Sequence, residues 1–259
     1  MAPLRKRFHA AGWACAAAGL VLLASTDTRE PEARREPGLW LWAWERYDDL
    51  SFLDPKTTGV AYLAATVTIT PERVAWAGRH QALRVPPGTR RIAVVRIENR
   101  ERRLDDASRH ELVSRLASEA QASGAVGLQL DWDAPLSLRP AYRLLLADVR
   151  AALPDTIPLS MTALASWCVG DCWLGDASVD EMVPMVFRMG ADDQRVRYDL
   201  AQLGDFPCRE CRDAVGLSTD EAWPRLAPRR VYLFHAGAWN AEIVRRAMDR
   251  LQGSGRDAR

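Results

Sequence analysis

The sequence predicts an α/β fold of the (β/α)8 TIM-barrel type, on three observations. Eight segments read as strands, and most are near-continuous apolar runs, as parallel strands covered on both faces should be. Amphipathic helical patterns lie between several of them, and alternation of strand and helix implies parallel β/α units. The length of 259 residues is within the range one such barrel occupies, so no second domain is required.

The strands are expected at residues 38–44, 59–69, 91–98, 126–133, 158–166, 181–188, 214–219 and 230–236. Between the third and fourth, Ser108 and Glu111 form a capping box for a helix carrying Leu112, Val113, Leu116 and Ala120 on one face. After the fourth, Leu138, Ala141, Tyr142, Leu145 and Val149 recur at helical spacing, and Pro154 follows the end. Asn240 is placed to cap a last helix with Ile243, Val244, Ala247 and Leu251 inward. Segments 46–53, 173–178 and 220–226 allow only short helical connections, and 70–90, with Pro86, Pro87 and Gly88, reads as an excursion or hairpin. An open doubly wound sheet is the alternative arrangement.

Residues 1–26 read as a signal peptide or N-terminal anchor. Arg5, Lys6 and Arg7 precede an apolar run at about 10–24, which is shorter than the roughly 20 residues a membrane-spanning helix needs. Leu22 stands where a small residue would favour cleavage after Ala24, which keeps an uncleaved tether open. Residues 27–37 read as a linker, 38–253 as the barrel and 254–259 as a tail. The whole chain has 35 basic and 34 acidic residues, and loss of residues 1–26 leaves 32 against 34, a formal charge of −2. Such a balance argues against nucleic acid as a partner, and no membrane contact is expected beyond the N-terminal segment. The mature part is expected in the periplasm or tethered outside the inner membrane.

Cys168, Cys172, Cys208 and Cys211 form an even set after the signal, which in an oxidising compartment suggests disulfides. A four-thiolate zinc site is the competing reading. In a barrel the first pair follows strand five at the top and the second precedes strand seven at the bottom. The expectation is therefore two local bridges, Cys168–Cys172 and Cys208–Cys211.

The working site of such a barrel lies at the carboxyl ends of its strands. Candidates there are Trp44 and Glu45 after the first strand, Arg96 and Glu98 on the third, Met185 and Arg188 on the sixth, and His235 and Trp239 after the eighth. The fourth strand is the most informative. Gln129, Asp131 and Asp133 are two apart and share a face, and carboxylates so close raise each other's pKa, which keeps a general acid protonated near neutral pH. The structural alternative is neutralisation by Arg96 or capping of the following helix. Trp40 and Trp42 are expected to pack inside the barrel, His235 reads as a hydrogen-bonded core histidine, and the methionines as packing. Metal and cofactor signatures are absent from the sequence, so neither is expected.

The segments W-L-W-A-W-E (40–45), G-L-Q-L-D-W-D-A-P (127–135), S-M-T-A-L-A-S-W-C (160–168) and V-P-M-V-F-R-M-G (183–190) resemble the bacterial domain of unknown function 3142, a family without an established activity. More distantly, G-L-Q-L-D-W-D is similar to the strand-four signature G-x-D-x-D-x-E of glycoside hydrolase family eighteen, the chitinase-type barrels. The resemblance implies Asp133 as proton donor, Asp131 as the carboxylate beside it, and Trp239 as a tryptophan beneath the sugar. This chain departs from that pattern at Gln129, Asp133, Phe187 and Arg188, where the family has Asp, Glu, Tyr and Asp. Aspartate is one methylene shorter than glutamate, and a misplacement of about 1 Å can cost on the order of a hundredfold. The implied function is an exported glycosidase-like barrel of the cell envelope acting on a glycan. The alternatives are a carbohydrate-binding barrel that has lost catalysis and a scaffold.

Overall fold

The computed structural model describes residues 38–101 and 103–254. The proposed signal, the linker and all but the first residue of the tail lie outside the described residues. The strands in chain order are β1 (Leu39–Ala43), β2 (Asp48–Asp49), β3 (Thr58–Ile69), β4 (Val74–Gly78), β5 (Leu83–Arg84) and β6 (Arg91–Asn99). They continue as β7 (Gly127–Asp131), β8 (Leu159–Leu164), β9 (Glu181–Met185), β10 (Ala214–Ser218) and β11 (Arg230–Phe234). The helices are α1 (Asp106–Ala122), α2 (Arg139–Ala152), α3 (Ala165–Val169), α4 (Asp193–Leu203) and α5 (Ala241–Ser254).

Eight strands, β1, β3 and β6 through β11, pair in parallel around a ring. The ring closes because β1 pairs with both β3 and β11, which excludes the open sheet. All eight expected strands are present. The excursion at 70–90 contains β4, antiparallel to β3, and β5, which pairs with β2 beside the barrel.

The barrel interior is packed with aromatic rings. Trp40 stacks on Tyr232 at 6.0 Å, Tyr232 meets Trp42 at 5.4 Å, Trp42 meets Phe187 at 6.0 Å, and Phe187 stacks on Phe234 at 5.3 Å. The indoles fit because two neighbouring positions carry no side chain. A Cβ at Gly59 would lie 2.5 Å from the Trp40 ring, and one at Gly216 would lie 2.8 Å from the Trp42 ring. A second apolar layer lies between strands and helices, where Leu112 and Leu116 of α1 and Tyr142, Leu145, Leu146 and Val149 of α2 are buried.

Three expectations are corrected. The first concerns α1, whose cap is Asp105, not Ser108: its carboxylate accepts from the Ser108 amide at 2.8 Å. The chain enters the helix one turn earlier than the apolar stripe begins, because the first turn is exposed and needs no apolar residue. Second, α4 has no counterpart in the sequence reading, since only Val196 and Leu200 are buried and so narrow a stripe among charges gives little periodic signal. The third is the disulfide pairing.

The bridges are Cys168–Cys211 and Cys172–Cys208, with Cα separations of 6.0 and 5.5 Å. Both pairs therefore lie side by side, and the expected local bridges do not form. Position in the β/α order does not fix height here. The short helix α3 after β8 packs against α4, while the turn Arg209–Cys211 lies over β9, so the two segments meet and the Cys208 amide donates to the Cys168 carbonyl at 3.4 Å. Two disulfides, with Cys168, Cys208 and Cys211 buried and Cys172 half-buried, fit an oxidising, extracytoplasmic environment. Among the described residues no helix is long and apolar enough to cross a membrane.

Peptide mapping without reduction is expected to recover 168–211 and 172–208 as linked peptides. Replacing Cys172 and Cys208 together by serine should lower the unfolding free energy by about 2–4 kcal/mol, read from denaturant melts. Gly59→Ala is expected to cost roughly 1–3 kcal/mol in the same assay, because the added methyl must displace an indole held on its other face by Tyr232.

Candidate functional site

Strand β7 is buried at all five positions, and its alternation sends Gln129 and Asp131 into the barrel. Gln129 is fully buried, and both ends of its amide are engaged. Its Oε1 accepts from Trp42 Nε1 at 2.8 Å, and its Nε2 donates to Ser160 Oγ at 3.2 Å. The residue at the first position of the motif is therefore a neutral brace for the aromatic column.

One step up, Asp131 is 8% exposed and accepts from Thr162 Oγ1 at 2.7 Å. Burial pushes its carboxyl up to about 6; the Thr162 hydrogen bond opposes this, the charge of Asp133 adds to it, and Arg96 opposes it. Asp133 lies beyond the end of the strand and is exposed at the mouth. Partial enclosure of its carboxyl raises the pKa, and Arg96 again pulls the other way. Because the side chain retains open surface, water tempers that rise, and the deeper Asp131 is the more strongly perturbed of the two.

Trp132, between the two carboxylates in sequence, packs its ring 4.8 Å from Tyr142 of α2. Tyr142 is fully buried, and its hydroxyl has no hydrogen-bond partner among the described residues. Burial and then the charges of Asp131 and Asp133 push this phenol well above its usual range. A tyrosine read from the sequence only as helix core thus feels the carboxylate pair.

The pair opens into a cleft of about 210 Å³ at the carboxyl ends of the strands. Trp42, Trp44, Phe187 and Phe234 supply aromatic surface, and Arg96, Arg188, Thr162, Ser166 and Asp192 supply polar groups. Met185, Met189, Leu164 and Ala165 complete the wall. A groove of about 250 Å³ runs along the ends of β6 and β7, lined by Arg96, Glu98, Asn99 and Pro135 among others. Asp131, Asp133 and Arg96 border both spaces.

Of the residues singled out in the sequence, the cleft gathers Trp44, Arg96, Asp131, Asp133, Met185 and Arg188. Glu98 lies in the adjoining groove, 3.4 Å from Arg96 Nε. Four others line neither space: Gln129, which braces Trp42, and three whose polar atoms are engaged elsewhere. Glu45 accepts from the backbone amides of His80 and Gln81 at 3.1 and 2.9 Å and so ties the end of β1 to the excursion. His235 has Nδ1 2.7 Å from Thr219 Oγ1, and burial, then Arg46, lowers its pKa. Trp239 is buried, its indole N–H donating to the Trp42 carbonyl at 3.0 Å, which leaves no face for a sugar.

The sequence reading missed Thr162, Ser166 and Asp192. The period of two along β8 could have found Thr162, level with Asp131 on the neighbouring strand; Ser166 and Asp192 lie in α3 and in the turn before α4, where no periodicity marks them. Arg188 is also unusual in its backbone. Its φ is 50°, a left-handed conformation that costs a non-glycine residue about 1–2 kcal/mol.

No curated protein matches the chain. Among solved structures it is similar to the crystal structure of the Bacillus cereus spore cortex-lytic enzyme SleL, with 15% sequence identity and a TM-score of 0.48 over 69% of this chain. This chain spans 50% of that one. Residues 87–187, which contain β6 through β9 and both cleft carboxylates, match the model described as Domain of unknown function (DUF3142), so the resemblance read in the motifs is shown over that segment.

Proposed function

We propose that this protein is an exported glycosidase-like barrel of the cell envelope, working in the periplasm or tethered outside the inner membrane. In this reading Asp133 donates a proton to the departing sugar oxygen and Asp131 is its electrostatic partner. The observation that carries the proposal is the placement of the pair: Asp133 stands open to the cleft, where a departing oxygen can reach it, and the buried Asp131, its carboxyl raised to about 6, lies behind it as the partner that shares the proton. Glycoside hydrolysis needs two carboxyl groups in different protonation states near the scissile bond. Trp44 and Phe187 add the aromatic surface on which a sugar ring can rest. The site is assigned no metal or cofactor step.

A second reading is a carbohydrate-binding barrel without turnover. Gln129 favours it, because its amide is engaged by Trp42 and Ser160 and supplies no third acid to the motif.

The purified protein, incubated with a panel of envelope and extracellular glycans, should release reducing ends. Asp133→Asn should reduce that release by about 10²–10⁴-fold, the usual contribution of a general acid. Unchanged turnover in this variant removes Asp133 from the mechanism, and binding without turnover in the wild type selects the second reading.

Asp131 also makes a stability prediction. Burial lets the folded protein hold this proton to about pH 6, whereas the unfolded chain releases it near 3.8, the ordinary value of an aspartate. Between these values the native state binds more protons, so rising pH destabilises the fold by about 3 kcal/mol once both states are ionised. Asp131→Asn keeps the acceptor for Thr162 and does not titrate. Its stability relative to wild type should therefore grow as pH rises from about 4 to about 7, while its turnover falls. A variant less stable than wild type at neutral pH would mark the pair as structural. Asp133→Asn should shift the titration of Asp131 downward, since one raising charge is gone.

A further inference from the structure

Arg188 stands where the pattern of the chitinase-type barrels has an acid, and its surroundings suit a different task. Its backbone is held in the left-handed conformation by a hydrogen bond from its amide to Glu221 Oε1 at 3.0 Å. Glu221 is itself fixed by Arg197, whose Nη2 lies 2.8 Å from Oε2. The anion that anchors the Arg188 backbone is therefore already paired elsewhere.

The Arg188 side chain lies in the cleft with its Cζ 4.5 Å from the centroid of Phe234, which stacks on Phe187. This packing fixes one face of the guanidinium plane. Among the described residues, no side chain or carbonyl accepts a hydrogen bond from that guanidinium. Asp192, in the same cleft, pairs with Arg195 at 2.9 Å, and Asp220 accepts from the Ser218 hydroxyl. The result is a planar fork of donors, oriented by an aromatic ring, bound to no acceptor and facing the space beside the carboxylate pair.

We infer that Arg188 is a specificity-determining residue that receives a carboxylate carried by the glycan. This inference rests on the glycan reading above and names the class of glycan. A planar fork matches a planar carboxylate with two parallel hydrogen bonds, a geometry a lysine ammonium cannot reproduce. The neighbouring acids favour a monoanion over a phosphate dianion, because Asp192 lines the cleft and Asp220 is close enough to feel the charge of Arg188. An arginine at a positive φ, where glycine would relax the backbone, fits a side chain that serves contact with a ligand.

The test measures binding, by calorimetry, of two carboxylated probes. One is an oligosaccharide of hexuronic acids and the other is a peptide-free oligosaccharide carrying lactyl-ether carboxylates. Each is compared with the same oligosaccharide after reduction of its carboxyls to alcohols. At least one carboxylated probe should bind tenfold to a hundredfold more tightly than its reduced form, and the probe that does so identifies the source of the carboxylate. Arg188→Gln should abolish the preference, and Arg188→Lys should recover only a small part of it. Arg188→Gly should lose the preference while melting no lower than Arg188→Gln, which separates ligand recognition from folding. Equal binding of both forms, binding of neither at millimolar concentration, or a preference that survives Arg188→Gln overturns the inference. Loss of the glycosidase reading has a different signature: the carboxylate preference present, but turnover absent or indifferent to Asp133→Asn.

Discussion

Everything at the site depends on β1 closing the ring. This five-residue strand pairs with β3 on one side and β11 on the other, and its alternate tryptophans fill the space that closure creates. Trp40 and Trp42 occupy most of the interior below the carboxylates, which requires glycine at positions 59 and 216 and an acceptor for the Trp42 indole. Gln129 supplies that acceptor. An aspartate there would bring a second buried negative charge below Asp131, and a buried charge without a partner costs several kcal/mol. The departure from the acid-rich motif is thus intelligible as packing: a strand of tryptophans needs a neutral acceptor. With the lower barrel filled, the space left for a ligand is the upper layer, where Asp131, Thr162, Trp44 and Arg96 meet.

The electrostatics of that layer follow from depth. Asp131 lies under the rim, where water is excluded, and among the described residues only Thr162 donates to it directly. Arg96 is close enough to influence both carboxylates but is partly drawn off by Glu98, and both members of that pair are open to solvent. Arg96 therefore moderates the pair without neutralising it. A fold optimised for stability alone would place a buried amide at 131 or a closer cation beside it. Tyr142 tells the same story from behind the strand, since its buried, unpartnered hydroxyl is a further polar cost close to the carboxylates.

The fold was legible because burial on both faces writes parallel strands as apolar runs, a signal that survives without any knowledge of partners. The carboxylate pair was legible for a related reason: two acids inside such a run break it at one phase. Sequence could not show which polar residues at strand ends turn toward the cleft. Glu45, His235 and Trp239 end strands as Trp44 and Arg188 do, yet their polar atoms are taken up by backbone amides, a hydroxyl and a carbonyl from distant segments. Such contacts join residues 16 to 197 apart in sequence, and local pattern carries no trace of them. The cysteine pairing failed similarly, because it depends on how far a short helix and a turn travel along the outside of the barrel.

The crossed disulfides also bear on the cleft. Between β8 and β9 the barrel has only the five residues of α3 where a full covering helix would normally lie. A single helical turn is not stable by itself in water and buries little apolar area. Here Trp167 and Cys168 of α3 are buried, and the two bridges join this connection to the segment before β10. Ala165 and Ser166, at the start of the same helix, line the cleft. The cross-links thus hold in place a wall that packing alone would leave weak. That division of labour is available only where thiols oxidise, so the compartment that forms the disulfides is also the one in which this face of the cleft is complete.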